Sequence, residues 1–191
     1  MKSKIKIPVE VSARHVHLNK EDFEKLFGKN KKLEPIKKLS QPGEFASKQK
    51  IEIINGKEKV NVRVLGPLRE SSQIEMSLTD AHNLNLNPLP KIRMSGDTHG
   101  TTIASVKGPK GKTKIPVIIA QRHLHCSEEQ AKKLKLKPHQ IISIKTSGQR
   151  KITFHNIIPR ISKKYELALH IDTDEANSAG ISEETFGEIV K

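Results

Sequence analysis

The chain reads as a mainly β protein with short α-helices, organised as an internal duplication, and three observations predict this. Short runs rich in Val and Ile recur along its 191 residues, separated by Gly, Pro and Asn. The phrase Ala13-Arg14-His15-Val16-His17-Leu18 returns as Gln121-Arg122-His123-Leu124-His125-Cys126. Each copy follows a strand-like run and precedes a helix start.

The first copy follows Val9 and Val11, and the second follows Val117, Ile118 and Ile119. Alternate residues of a strand project from one face, so both imidazoles of each His-x-His pair point the same way. Side chains two strand steps apart, roughly 6–7 Å, can converge on one ion, with zinc–nitrogen bonds of about 2.0–2.1 Å. A single such pair could equally be solvated or hydrogen-bonded at a strand end. Its repetition in one local frame points to metal. Arg14 and Arg122 have the opposite parity, which predicts structural pairing with an acidic neighbour.

A helix is expected after each pair. Asn19 can cap one carrying Phe23, Leu26 and Phe27, and Ser127-Glu128-Glu129-Gln130 forms a capping box ahead of Ala131 and Leu134. Strands are then predicted over 49–54, 59–65, 141–145 and 151–154, with Asn55-Gly56 as a hairpin turn.

Late in each half, Glu75-Met76-Ser77-Leu78-Thr79-Asp80-Ala81 aligns without gaps on His170-Ile171-Asp172-Thr173-Asp174-Glu175-Ala176. Glu75 falls opposite His170, and Asp80 opposite Glu175. Each half would then supply two histidines and one further ligand, leaving an open coordination position as in catalytic zinc sites.

Two loops could meet anions. Val106-Lys107-Gly108-Pro109-Lys110-Gly111-Lys112-Thr113 ends like a phosphate loop, but that motif needs Gly where Val106 stands, so a flexible basic turn is expected. In Gly66-Pro67-Leu68-Arg69, shortly before Glu75, the arginine offers a planar fork suited to phosphate. The remaining histidines, His82, His99, His139 and His155, show no partner pattern, and His99 in Gly96-Asp97-Thr98-His99-Gly100 is the best further candidate for the site.

The net charge of +14 invites a nucleic-acid partner, yet the basic residues are 28 Lys against 7 Arg, spread throughout, with five Phe, one Tyr and no Trp. Base readout favours Arg, and single-strand binding favours aromatic platforms, so neither is predicted. No run approaches the roughly 20 apolar residues of a membrane span. One cysteine, Cys126, excludes an internal disulfide framework and suits a reducing, cytoplasmic compartment. It is expected to be a buried bystander.

The chain resembles the PduL-type phosphotransacylases, the phosphate propanoyltransferases. The matching phrases are Val11 to Leu18, Arg63 to Arg69 leading to Gln73-Ile74-Glu75, Thr79-Asp80-Ala81, Ser95-Gly96-Asp97, Gly108-Pro109-Lys110-Gly111, Gln121 to His125, and His170 to Asn177. They follow family order over nearly the whole chain. The resemblance implies a dimetal site, usually zinc, where two small β-barrels capped by helices meet. It implies two zinc ions per chain, one held by His15, His17 and Glu75 and the other by His123, His125 and His170, with Arg69 as the phosphate-binding catalytic arginine. It implies one barrel from residues 1–13 with 121–191 and the other from 14–120, because the strands before the two His pairs are exchanged.

The reaction so implied is acyl-CoA plus phosphate to acyl phosphate plus CoA, with acetyl or propanoyl groups, in a homodimer. Packaged family members carry an N-terminal extension as an encapsulation signal, and here the first strand starts close to Met1, so a free cytoplasmic enzyme is expected. A metal-dependent hydrolase is the rival reading, since barrel amidohydrolases also use His-x-His. Such a barrel needs about 250 residues, and this chain is shorter with the motif doubled.

Overall fold

The computed structural model describes residues 5–137 and 140–190. In chain order these form β1 (Ile7–Ser12), β2 (His15–His17), α1 (Lys20–Phe27), β3 (Pro35–Lys38), β4 (Phe45–Asn55), β5 (Glu58–Gly66), β6 (Gln73–Glu75), α2 (Leu78–Asn83) and β7 (Ile92–Arg93). There follow β8 (Thr102–Lys107), β9 (Lys112–Ala120), β10 (His123–Cys126), α3 (Glu128–Leu134), β11 (Ile142–Thr146), β12 (Thr153–Ile161), β13 (Ala168–Asp172), α4 (Thr173–Ala179) and β14 (Thr185–Val190). No helix among the described residues is long and apolar enough to cross a membrane.

The chain divides into two compact units. One joins the segment ending at Ser12 to the segment beginning at Gln121, and the other spans Ala13–Ala120. In the first, β1-β13-β10-β12-β11-β14 close into a six-stranded barrel. In the second, the pairings β4-β5-β2-β6-β9-β8 close an equivalent ring, with β3 added beside β4 and β7 beside β9. Among the described residues the fold is thus mainly β, two small barrels with four short helices, as the family resemblance implies.

Each histidine strand has the same neighbours. β2 lies parallel to β5 and antiparallel to β6, while β10 lies parallel to β12 and antiparallel to β13. The strand preceding each His pair closes the other ring: β1 pairs with β13 and β14, and β9 with β6 and β8.

Alternation explains why these segments build barrels. Val16, Ile53, Val62, Val64, Ile74, Ala104, Val106, Ile115 and Val117 fill one core, joined by Phe23, Leu26 and Phe27 from α1. Ile7, Leu124, Ile144, Ile157, Leu169 and Ile171 fill the other, joined by Ala176 and Ala179 from α4. Full burial of one Val, Ile or Leu side chain contributes about 1.5–3 kcal/mol relative to exposure, so both barrels have cores of their own. The helix caps fall where expected: Asn19 accepts from the Asp22 amide, and Ser127 with Gln130 forms a complete capping box. A second box, Asp172 with Glu175, opens α4 and has the same logic.

Two local expectations change. The two-residue hairpin loop is Gly56-Lys57 rather than Asn55-Gly56, because Asn55 pairs with Glu58; Gly56 takes φ +60° at the first loop position, where primed hairpin turns need it. The basic turn between β8 and β9 is packed rather than flexible. The Lys110 amide donates to the Leu26 carbonyl, capping α1, and this close approach leaves no room for a Cβ at Gly108, which would meet Leu26 O at 2.6 Å. Gly108→Ala is therefore expected to lower stability by about 1–3 kcal/mol, measured by urea unfolding, without changing metal content.

Candidate metal centres

Strand parity brings the candidate ligands together. Val16 enters the barrel core, so His15 and His17 project from the opposite face of β2; Ile74 does the same for Gln73 and Glu75 on β6. The register sets His15 directly across from Glu75. The second barrel repeats this with Leu124 inward and His123 directly across from His170. The ligand atoms of each trio lie within 4.8 Å of one another.

In the first cluster, His15 Nε2 stands 3.1 Å from His17 Nε2 and 3.7 Å from Glu75 Oε2, while His17 Nε2 is 3.7 Å from Glu75 Oε1. Tetrahedral zinc with bonds of about 2.0–2.1 Å sets its ligands roughly 3.3–3.4 Å apart, so these donors fit one such ion. The backbone orients the rings. His15 Nδ1 lies 2.8 Å from the Ala13 carbonyl and His123 Nδ1 lies 2.9 Å from the Gln121 carbonyl. A carbonyl only accepts, so each Nδ1 is the donor, which in the neutral ring leaves Nε2 as the nitrogen with a lone pair for a cation.

Electrostatics favour the ligating protonation states. Burial, His15 and Arg69 hold His17 well below the ordinary histidine range, so it is neutral at neutral pH. Burial would raise the Glu75 pKa, but His15, His17, the Ser95 hydrogen bond and Arg69 together bring it down to about 2. Glu75 is therefore an anion ready to bind a cation.

Around Glu75 runs a network that the sequence reading missed. Ser95 Oγ donates to Glu75 Oε1 (2.6 Å) and accepts from Gln73 Nε2 (2.7 Å) and Arg69 Nη1 (3.1 Å). Gln73 also donates to Glu75 Oε1 at 2.5 Å and accepts from the Gly96 amide. Arg69 Nη2 meets Glu44 Oε1 at 3.1 Å, and its own amide is anchored to the Leu18 carbonyl just past His17. The signal for Ser95 and Gln73 was present, because both lie in phrases that carry the family resemblance. Glu44 had none.

The second cluster is built of rings. His123 stacks parallel to His170 at 5.1 Å, His125 stands edge-on to both, and Tyr165 stacks on His125 at 4.2 Å. Arg14 and Arg122 pair with acids as their parity predicts: Arg14 with Asp80 (2.8 Å) and Arg122 with Glu175 (2.6 Å), the two residues opposite each other in the self-alignment. Cys126 is buried, and burial pushes its thiol pKa up. His82, His99 and His155 are exposed and belong to neither trio, and His139 lies outside the described residues.

A family model described as phosphate propanoyltransferase matches residues 8–182. The chain belongs to this phosphate propanoyltransferase family. It is 40% identical over 188 residues to a phosphate propanoyltransferase of Clostridioides difficile, covering 97% of this chain and 89% of that protein. It is 44% identical over 178 residues to one of Thermotoga maritima, covering 91% and 83%. It is 42% identical over 189 residues to one of Levilactobacillus brevis, covering 97% and 89%. The family is one of acyltransferases and supports phosphotransacylase activity.

The native pKa of Glu75 lies below the unfolded value of 4.5, so its ionisation stabilises the fold above that pH and the contribution is lost as pH falls towards about 2. In metal-stripped protein, urea unfolding between about pH 5 and pH 3 should show stability falling more steeply in wild type than in Glu75→Gln.

Proposed function

We propose that the chain transfers a short acyl group, propanoyl or acetyl, between CoA and inorganic phosphate, using two zinc ions, one at each His cluster. The observation that carries this reading is Ser95, whose single hydroxyl bonds both Arg69 and the ligand Glu75. An arginine fork is thereby held beside a cation-binding trio. That is what a reaction joining a phosphate to a thioester requires.

In the acyl phosphate direction, a phosphate oxygen forms a bond to the thioester carbonyl carbon, the C–S bond breaks, and CoA leaves as a thiolate. Zinc, when bound by the two trios, supplies Lewis acidity that lowers a thiol pKa and offsets phosphate charge. Arg69 orients the phosphate: it keeps further N–H donors beyond those given to Ser95 and Glu44, and an incoming anion competes with Glu44 for the fork. Ser95 and Gln73 keep Glu75 in place while this happens. Orientation of two bound reactants supplies much of the acceleration.

Transfer is direct. Cys126, the chain's sole thiol, is buried with a raised pKa and offers no thiolate for an acyl-enzyme. The reading includes a cytoplasmic homodimer, which gel filtration with light scattering tests.

The deciding experiment is release of CoA from acetyl-, propanoyl- and butanoyl-CoA with and without phosphate. Release that requires phosphate supports the transferase, and equal release without phosphate turns the assignment to a metal-dependent hydrolase. Arg69→Ala should raise the phosphate KM and lower kcat by about 100-fold with metal retained, whereas His15→Ala should lose one ion as well. An acylated protein trapped from acyl-CoA alone would refute direct transfer.

A further inference from the structure

The two trios are not equivalent in charge. His15, His17 and Glu75 include one carboxylate, whereas His123, His125 and His170 include none. With a divalent ion the first centre would carry one net positive charge and the second two. A buried charge is costly unless compensated, so the second centre needs an anion nearby.

The barrel supplies one from an unexpected place. β1 runs parallel to β13 with Glu10 directly beside His170, and Glu10 Oε2 lies 3.7 Å from His170 Nε2. Parity puts Glu10 on the ligand face, since its neighbour Val9 packs against the core and Leu169 and Ile171 flank His170 within it. The corresponding position in the other barrel is Ile118, in register with Glu75 and fully buried. The fold therefore accepts an apolar side chain here. Glu10 stands where the histidine-only centre lacks a carboxylate, and Ile118 where the other centre already has one. Glu10 precedes His15 in sequence yet reaches the second trio because β1 closes the other barrel.

We propose that Glu10 is the acidic partner of the three-histidine centre, a carboxylate set beside His170 that offsets the charge of the ion held there. A carboxylate beside a ligating imidazole orients the ring and raises its basicity, and loss of such a partner typically weakens metal binding by about 10–100-fold. The inference rests on the reading that this trio holds a divalent ion, and the test separates the two.

Metal-free wild type, Glu10→Gln, Glu10→Asp and His123→Ala are titrated with Zn²⁺ in competition with a chromophoric chelator. The titration is repeated with Co²⁺, following the visible d–d bands. Wild type should show two tight sites, and His123→Ala should identify the one in this barrel. Glu10→Gln should weaken that site alone by about 10–100-fold and shift its cobalt bands, with the other site and the urea stability of the metal-free protein unchanged. Glu10→Asp should recover part of the affinity. Equal affinities and spectra in Glu10→Gln and wild type would overturn the role of Glu10 while leaving the metal reading intact. A wild type in which His123→Ala removes no site would overturn both.

Discussion

The pairing of His15 with Glu75, and of His123 with His170, across a short antiparallel ladder is the constraint on which the rest of the molecule depends. On each ladder the inner residue, Val16 or Leu124, is locked into a hydrophobic core. A slip of one residue would turn the histidines into the core and the apolar residue outward, at several kcal/mol for an unpaired buried polar group. Core packing thus holds the ligand geometry. The backbone carbonyls of Ala13 and Gln121 then engage Nδ1 of His15 and His123 and leave Nε2 as the candidate ligand atom.

Once duplication has provided two such ladders, their differences carry the chemistry. The stretches from Arg63 to Glu75 and from Ile158 to His170 have equal length, since Arg63 pairs with His15 and Ile158 with His123. Arg69 therefore corresponds to Lys164, which is exposed. The first barrel ties Arg69 to its trio through Ser95 and Gln73. A bidentate fork suits phosphate better than a point charge, which supports the anion-binding role proposed for Arg69. The second barrel surrounds its trio with Tyr165 and Glu10 instead.

Much of this was legible because it is local. The His-x-His parity, the caps at Asn19 and Ser127, and the parity that turns Arg14 and Arg122 away from the histidines follow from spacing along a strand or helix, whereas the acids those arginines meet do not. The hairpin was placed one residue early because Asn-Gly and Gly-Lys both satisfy turn chemistry, and cross-strand register decides between them. The turn at Gly108 looked flexible by composition, but its glycines serve close packing on α1. What spacing cannot reveal is which strand closes which barrel. That choice brings Glu10 beside His170 and Ile118 beside Glu75, and no local periodicity encodes it. Ser95 and Glu44 are likewise distant in sequence from the residues they touch.

The central claim is that each barrel builds its own cation site from two histidines and the residue across the ladder. Metal content of the purified chain, measured by mass spectrometry on wild type, His15→Ala, His123→Ala and the double variant, tests it most directly. The account predicts two ions in wild type, one in each single variant and none in the double variant, with the folded state retained. A wild type that binds no ion, or a single variant that keeps both, would contradict it.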